Sequence, residues 1–429
     1  MKQLSEYLHE NELWDSFQSA YRAHHCAETA LLKVKTDIEC MMDAGDAAVL
    51  VLLDLSAAFD TINHCVLLDR LEKEFGITGM ALTWINDYLR NRKQFVNVND
   101  AISEPSQLTV GVPQGSVMGP ILFLLYIAPL ARIIEHYGIS RHAYADDTQL
   151  YCRLPMKDKN ATTHAVQKLN LCINHVRSWM IENKLKINDE KTEVLFIASK
   201  KARMTLSGMN IEIRVGETIV TESTTARNLG AVFDQEMTME KQVANTVRAT
   251  YHQLRKIKSI RQHLTEVSCK KIVHACVTSR LDFNNSLLLG CTDKLKRKLQ
   301  LVQNNAARVI TGLRKREHIT PILIQLHWLP IKARISFKVL SIIHKAIHDS
   351  HCPDYMKSFI IFNGNTRTLR STADVFKLLP QIPKLSVLQK SFIVEGFKSW
   401  NMLPISLRSI PCTIRFKKCL KTHIFTQFF

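Results

Sequence analysis

The sequence predicts an α/β protein whose C-terminal part is basic and mainly helical. Residues 47–56, AAVLVLLDLS, form an apolar run that contains a single aspartate near its end, and such runs are typical of strands buried in a sheet that helices cover. Helical patterns stand on both sides of this run. From about residue 235 onward, helical patterns with cationic faces replace the alternation of strands and helices.

The elements before residue 235 are predicted from apolar spacing, with glycine and proline marking their ends. Residues 26–45 carry apolar side chains at helical spacing and stop at a glycine. Two further helical patterns, 63–77 and 80–92, lead into a short strand candidate, KQFVNVND (93–100). A loop rich in glycine and proline follows at 111–120. The order of these elements supports a sheet with helices packed on it.

The charge of the chain is unevenly distributed. The net charge is +18, yet residues 1–150 contain 11 Lys and Arg against 20 Asp and Glu. Residues 251–429 contain 31 Lys and Arg against 8 Asp and Glu. An acidic half joined to a strongly basic half suggests that one part binds a polyanion while the other uses carboxylates.

Composition and cysteine usage favour an intracellular protein that does not enter a membrane. The 46% hydrophobic and 22% charged content is that of a globular chain with a sizeable core, and the length favours two or three domains. The longest apolar stretch, 120–131, is too short for a membrane span and contains two prolines. Eleven scattered cysteines without a CxxC pair indicate a reducing compartment. Cys269 and Cys276 near His274 are interpreted as helix packing, and no structural zinc is expected.

Three aspartates carry the chemistry that the sequence suggests. Asp54 follows the apolar run, and Asp146 and Asp147 lie at the turn of a strand–turn–strand pattern, RHAYADDTQLY (141–151). Three carboxylates cannot all stay ionised at contact distance without a cation. Two Mg²⁺ ions roughly 3.5–4 Å apart would relieve the repulsion and form a site for phosphoryl transfer. Taken singly, Asp54 is more often a strand-end residue, and an Asp–Asp pair at a hairpin is more often only a turn.

Five motifs, occurring in a fixed order, resemble the palm of reverse transcriptases from LINE-type, non-LTR retrotransposons. The motifs are VLVLLDLSAAFD, GVPQGSVMGPILF, AYADD, NKLKINDEKTEVLF and NLGAVFD. The resemblance implies a right-hand polymerase palm with partial fingers, a helical thumb and a basic, mostly helical C-terminal extension. The implied boundaries are 1–234 for fingers and palm, 235–312 for the thumb, and 313–429 for the extension. The match begins at a fingers-like segment, FQSAYRAHHCAETALL (17–32), which predicts a chain without the endonuclease domain of complete members.

The resemblance assigns a metal site and a proton donor. Asp54, Asp146 and Asp147 match the metal-binding triad of the family, which implies two Mg²⁺ ions, with Mn²⁺ as a substitute. Lys191 matches a lysine that protonates the leaving pyrophosphate. Considered without the resemblance, Lys191 is better interpreted as a solvated charge.

Three further residues match positions that contact the nucleotide. Phe59 matches the bulky side chain that blocks a ribose 2′-hydroxyl. Gln114 matches a residue that lines the incoming nucleotide and template, and Arg22 matches a fingers arginine near the triphosphate. Without the resemblance, Phe59 is better interpreted as a core aromatic and the Gln114 loop as a turn. Ala20 and Cys26 depart from the family pattern, which more often has a glycine and a small hydroxyl residue there.

The function implied by the resemblance is RNA-directed DNA polymerisation. The partners would be an RNA template, a DNA primer and deoxynucleoside triphosphates, with action in the nucleus, the cytoplasm or both. The sequence does not fix the oligomeric state. An inactive retrotransposon remnant that only binds nucleic acid is the alternative. A general two-metal nuclease explains neither the PQG loop nor Phe59.

Overall fold

The computed structural model describes residues 2–56, 58–314, 316–362 and 376–429. The chain divides into two compact units. The first unit comprises Met1–Arg22, Val49–Val194 and Leu206–Ser223, and the second comprises Ala23–Ala48, Leu195–Thr205 and Thr224–Phe429. Strands that alternate with helices up to residue 234, followed by helices, confirm the predicted α/β class.

The strands are short except around the central sheet. They are β1 (Ala47–Leu53), β2 (Leu55–Ser56), β3 (Lys93–Gln94), β4 (Asn97–Val98), β5 (Ala101–Ile102), β6 (Ser106–Gln107), β7 (Ser140–Tyr144), β8 (Asp147–Leu154), β9 (Lys186–Ile187), β10 (Glu193–Ile197), β11 (Ile213–Val215), β12 (Thr218–Val220), β13 (Thr225–Asn228) and β14 (Ala231–Asp234).

The helices connect these strands and make up most of the chain after residue 235. They are α1 (Lys2–Glu10), α2 (Ala27–Asp43), α3 (His64–Lys73), α4 (Gly79–Leu89), α5 (Gly119–Ile127), α6 (Leu130–His136), α7 (Lys159–Glu182), α8 (Lys200–Ser207), α9 (Glu240–Ser259), α10 (Glu266–Val273), α11 (Ser279–Asp282), α12 (Asp293–Thr311), α13 (Thr320–Gln325), α14 (Ile331–His348), α15 (Asp354–Lys357), α16 (Ser386–Gln389), α17 (Phe397–Asn401), α18 (Ile405–Arg408) and α19 (Thr413–Phe428).

A four-stranded sheet in the order β10-β1-β8-β7 positions the candidate site. Strand β1 is buried along almost its whole length, which confirms the strand predicted from its apolar run. Strands β7 and β8 are antiparallel, and Tyr144 pairs with Asp147 in the last register pair. Ala145 and Asp146 therefore form the turn between them, as the strand–turn–strand pattern predicts.

Helix α5 is part of the core of the first unit because its side chains are apolar on all sides. Seven consecutive residues, Ile121–Ile127, are buried, and Phe123 and Tyr126 are fully enclosed. Within the described residues, one helical stretch is long and apolar enough to cross a membrane. This stretch, Gly119–His136, comprises α5 and α6, and 56% of it is buried inside the protein. Burial of that extent is what a core helix shows.

The predicted strand 93–100 is only partly formed. The structure has two-residue strands there, β3 paired with β6 and β4 paired with β5, all with exposed side chains. Phe95 and Val96 in the segment are also exposed, so burial does not favour a longer ladder here.

The second unit is built mainly from packed helices. Helix α9 packs on α12, and α14 packs on α19. Helix α12 buries side chains every three or four residues, including Leu295, Leu299 and Val302, and ends at Gly312 in the left-handed conformation (φ 74°). The predicted helical character after residue 235 is confirmed, whereas the boundaries at 234 and 312 stay predictions.

Candidate active site

The sheet brings the three predicted aspartates together in the first unit. Asp54 directly follows β1, Asp146 lies in the β7–β8 turn, and Asp147 begins β8, the strand next to β1. The negative charge of Asp54 acts on both Asp146 and Asp147, so the three carboxylates face a common region. The strands that carry the three residues are therefore neighbours, which is the condition that the sequence set for their convergence, whereas their joint role as metal ligands stays a prediction.

Loss of hydration and mutual repulsion raise the pKa of two of these carboxyl groups. Burial of the carboxylate, with the charges of Asp146 and Asp54, raises the pKa of Asp147 to about 6, although Asp147 is exposed as a whole residue. Burial is also the largest influence on Asp146, whose pKa is raised. A hydrogen bond from its own backbone N–H opposes this shift, and Asp54 adds to it. Without a cation, the site resists full ionisation.

Lys191 lies next to the first aspartate. Its Nζ is 3.4 Å from Asp54 Oδ2, and the side chain is 68% exposed. Local backbone contacts fix this arrangement. Leu55 pairs with Ile187 in the β2–β9 ladder, and Asn188 N–H donates to the Asp54 carbonyl at 2.9 Å. The predicted proton donor is therefore held beside a predicted metal ligand.

The donor atoms fit a hard divalent cation in part. Asp54 Oδ2 is buried and accepts no hydrogen bond from the described residues. A buried anionic oxygen without a hydrogen bond can be stabilised by a bound cation. Across the parts of the chain that the structure describes, no group of three or more His, Cys, Asp or Glu side chains is arranged to hold a metal ion by itself. The carboxylates could therefore provide only part of the coordination shell of a divalent cation, and water or substrate oxygens would have to complete it.

The glycine- and proline-rich loop packs against the segment that follows β2, and this contact brings Phe59 and Gln114 together. Val112 N–H donates to the Phe59 carbonyl at 2.9 Å. Gln114 Nε2 donates to Asp60 Oδ1 at 2.8 Å. The ring of Phe59 lies 4.7 Å, between centroids, from that of Phe123 in α5. Phe59 therefore has the core contact expected of a core aromatic, while it remains half-buried.

Gly111 permits the close approach of this loop. It has φ +84°, and a Cβ at this position would lie 2.8 Å from the carbonyl oxygen of Asp60. Its N–H donates to the Ile62 carbonyl at 2.8 Å, and its own carbonyl lies 2.7 Å from His64 Nε2. A residue with a side chain would have to push the two segments apart.

Arg22 takes part in the packing of the N-terminal segment. Its Nη1 donates to the carbonyls of Asp15 at 2.6 Å and Gln18 at 3.0 Å. The guanidinium also lies over the Trp14 ring, 5.2 Å from the centroid. These contacts do not test a role near the triphosphate, which stays a prediction.

Sequence reasoning missed two contacts between the N-terminal segment and the β7–β8 hairpin. Gln18 is hydrogen-bonded to the backbone of Ala145, directly before Asp146. Arg141, buried in β7, is bound by both carboxylate oxygens of Asp15, at 2.6 and 2.8 Å. A sequence signal existed only for Arg141, because a buried arginine in a strand requires a carboxylate partner.

Comparisons with known proteins identify a family and several relatives by sequence. The family described as reverse transcriptase (RNA-dependent DNA polymerase) matches residues 1–233. The probable RNA-directed DNA polymerase from transposon BS of Drosophila melanogaster is 25% identical over 316 residues, which cover 72% of this chain and 34% of that protein. The probable RNA-directed DNA polymerase from transposon X-element of the same organism is 28% identical over 302 residues, covering 69% of this chain and 32% of that protein.

The chain thus spans about a third of the length of these curated relatives. Among solved structures, apo telomerase from Candida tropicalis is 9% identical, with a TM-score of 0.37 over 83% of this chain and 60% of that chain. A TM-score this low adds nothing to the argument, whereas the family match covers more than half of the chain and includes all seven predicted site residues. The resemblance to polymerases of LINE-type, non-LTR retrotransposons is confirmed, and the chain belongs to the reverse transcriptase family.

Proposed function

We propose that this chain is an RNA-directed DNA polymerase that extends a DNA primer on an RNA template. The observation that carries the proposal is the convergence of Asp54, Asp146 and Asp147, two of which have raised pKa values. Clustered carboxylates that resist full ionisation are a feature of sites that bind divalent cations. Reverse transcriptases generally depend on such cations, and the finer assignment to two Mg²⁺ ions, replaceable by Mn²⁺, is part of the proposal.

The reaction is the transfer of a nucleotidyl group. The primer 3′-hydroxyl loses its proton to solvent as its oxygen forms a bond to the α-phosphorus of a deoxynucleoside triphosphate. The bond from this phosphorus to the bridging oxygen breaks, and pyrophosphate leaves. Bound Mg²⁺ would lower the pKa of the attacking hydroxyl and neutralise the phosphate charge. Asp54 and Asp146 are the main ligands in this proposal, and Asp147 supports them. Lys191, beside Asp54, donates a proton to the departing pyrophosphate oxygen.

We assign substrate selection to the glycine- and proline-rich loop and the segment after β2 that packs against it. Phe59 would exclude a ribose 2′-hydroxyl, because its ring is fixed against Phe123 and cannot easily retreat. Gln114, held by Asp60, would lie along the nucleotide and its template base. Both roles come from the family resemblance, and the hydrogen bonds between the two segments support them because they hold the two residues together.

A basic face in the second unit is suited to the nucleic-acid backbone. We define the α9 stripe as Lys241, Asn245, Arg248, His252 and Arg255, which are all exposed and follow one another at three or four residues. The opposite face of α9 is buried. Cations spaced along one helix face can neutralise successive phosphates, so binding should weaken with salt, with log K falling by roughly 0.9 per neutralised phosphate per log unit of salt. This activity is proposed to occur inside the cell, in the nucleus, the cytoplasm or both.

The alternative of an inactive remnant is not favoured. The three aspartates and Lys191 are present and lie together in the structure. Ala20, one departure from the family pattern, is buried and uses its backbone N–H to bind Gln18 Oε1 at 3.0 Å. Alanine can make this backbone contact as readily as glycine.

Primer extension on oligo(dT)-annealed poly(rA) with Mg²⁺ tests the proposal. Wild-type protein should incorporate dTTP, and Asp146→Asn should bind the duplex with unchanged affinity but extend it at least 100-fold more slowly. Extension by Asp146→Asn at the wild-type rate would contradict the assignment. Duplex binding without extension by the folded wild type would instead favour the binding-only remnant.

A further inference from the structure

The turn that carries the aspartate pair contains a strained residue. Ala145 lies between β7 and Asp146 and has φ +58°, in the left-handed region. Residues with a Cβ seldom adopt this conformation, and those that do require support from their surroundings. The positions of the Asp146 and Asp147 side chains depend on this turn, because they are the two residues after Ala145.

One side chain satisfies both backbone polar groups of Ala145. Gln18 Oε1 accepts a hydrogen bond from Ala145 N–H at 2.9 Å, and Gln18 Nε2 donates to the Ala145 carbonyl at 3.2 Å. The same Oε1 accepts from Ala20 N–H at 3.0 Å. Gln18 is only 3% exposed, so water does not compete for these bonds. A side-chain amide combines the donor and the acceptor that this contact requires.

Gln18 is itself fixed by its segment. Residues 15–19, which we call the strap, run beside β7 and form a parallel bridge between Gln18 and Ala143. Ala143 N–H donates to the Phe17 carbonyl at 2.9 Å, and Ser19 N–H donates to the Ala143 carbonyl at 3.0 Å. The bidentate pair of Asp15 with Arg141 joins the other end of the strap to the same strand. The strap therefore holds Gln18 at a fixed position along β7, next to the turn.

We propose that Gln18 is a positioning residue for the aspartate turn, holding Ala145 in the left-handed conformation so that Asp146 and Asp147 can bind a divalent cation. Its expected effect on primer extension rests on the proposed polymerase function, whereas its effect on cation binding does not. Loss of the amide allows Ala145 to relax to negative φ, which turns the following carboxylates away from their shared region. Nucleic-acid affinity should be unchanged, because the proposed backbone contacts lie on the α9 stripe.

The test compares Gln18→Met with Gln303→Met. Methionine keeps the approximate size and removes the hydrogen bonds. Gln303, in the second unit, is a matched control because it is also fully buried and donates to the Leu329 carbonyl at 2.8 Å. We expect Mn²⁺ binding, measured by electron paramagnetic resonance of the free ion, to weaken at least fivefold in Gln18→Met and in Asp146→Asn but not in Gln303→Met. Primer extension should fall at least tenfold in Gln18→Met, and duplex affinity should stay within twofold.

A second variant separates positioning from general loss of stability. Glycine adopts positive φ without strain, so Gln18→Met/Ala145→Gly should recover Mn²⁺ binding to within twofold of wild type even if Gln18→Met alone folds poorly. A double variant that folds but binds Mn²⁺ as weakly as Asp146→Asn would overturn the proposal. Wild-type Mn²⁺ binding by folded Gln18→Met, or no Mn²⁺ binding by the wild type, would overturn it as well. Wild-type protein that binds Mn²⁺ but extends no primer would count against the polymerase function alone.

Discussion

Lys191 Nζ lies 3.4 Å from Asp54 Oδ2, and backbone contacts between the segments of these two residues keep them adjacent. Asp54 Oδ2 is nevertheless buried and receives no hydrogen bond from the part of the chain that the structure describes, so the ammonium compensates its charge only through space. The exposed side chain of Lys191 is free to turn toward a triphosphate once a cation occupies the carboxylates. The pair thus joins the proposed metal site to the proposed proton donor.

Replacing Lys191 by alanine should slow primer extension by about 100-fold, at the low end of what a general acid contributes. The KM for dTTP should change much less, because the proton is needed as the pyrophosphate leaves. Steady-state extension kinetics provide the measurement. Lys186→Ala is the control, since Lys186 is an exposed lysine on β9 in the same segment. Equal slowing of primer extension by the two substitutions would show that the positive charge of this segment matters and that Lys191 has no specific role.

The raised pKa of Asp147 predicts a pH dependence of stability in the absence of metal. The pKa is about 6 in the folded chain, and in the unfolded chain it is about 3.9. The folded state therefore binds more protons between these values, so the stabilising contribution is complete below pH ~4 and is lost as the pH rises through ~6.

Asp147→Asn removes this dependence. Its urea midpoint should exceed that of wild type at pH 7 in EDTA, and the difference should shrink as the pH approaches 4. Urea unfolding across this pH range gives the comparison. A difference that does not vary with pH would contradict the shift of the Asp147 pKa.

The α9 stripe should control the salt dependence of nucleic-acid binding. Arg248→Ala/Arg255→Ala should lower the slope of log K against log salt by roughly 0.9 for each phosphate that is no longer neutralised. Arg248→Lys/Arg255→Lys preserves both charges and should retain the wild-type slope. Fluorescence anisotropy with an RNA–DNA duplex at several salt concentrations would measure both. An unchanged slope in the alanine variant would exclude the stripe from the interface.

Gly111→Ala should be more damaging than Gly115→Ala. Both glycines have positive φ, so each substitution carries a conformational cost of roughly 1–3 kcal/mol. Only at Gly111 would the new Cβ meet backbone atoms, with Asp60 O at 2.8 Å, whereas Gly115 has open space around it. The free energy of unfolding from urea titrations should separate the two variants. The KM for dTTP should rise in Gly111→Ala, because Phe59 and Gln114 would be displaced.

The sequence predicted the elements whose apolar residues are regularly spaced. The uninterrupted apolar run of β1 and the regular apolar spacing in α12 are visible within each segment alone, so both elements could be identified from the sequence. The meeting of Asp54 with Asp146 and Asp147 was a hypothesis from their positions at strand ends, and the family resemblance strengthened it, because spacing alone does not reveal which strands are neighbours. The predicted strand at 93–100 was overestimated, since Phe95 and Val96 remain exposed in the folded chain.

The support of the aspartate turn could not be predicted from local patterns. Gln18 and Ala145 are 127 residues apart, and a single polar contact over that separation leaves no periodic signal in either segment. The left-handed φ of Ala145 was equally hidden, because alanine is not a residue that marks such a turn. The polar contacts that hold a site in shape are known only once the fold is known.

The strap has a consequence for the interpretation of shortened copies of such genes. A copy that began after residue 20 would keep all five palm motifs and the three aspartates of the candidate site, and by motif inspection it would count as intact. It would nevertheless lack the amide that holds Ala145 and the carboxylate that binds Arg141. Preserved motifs are therefore an incomplete criterion of coding competence, and a glutamine about 125–130 residues before the aspartate pair is an additional one to look for.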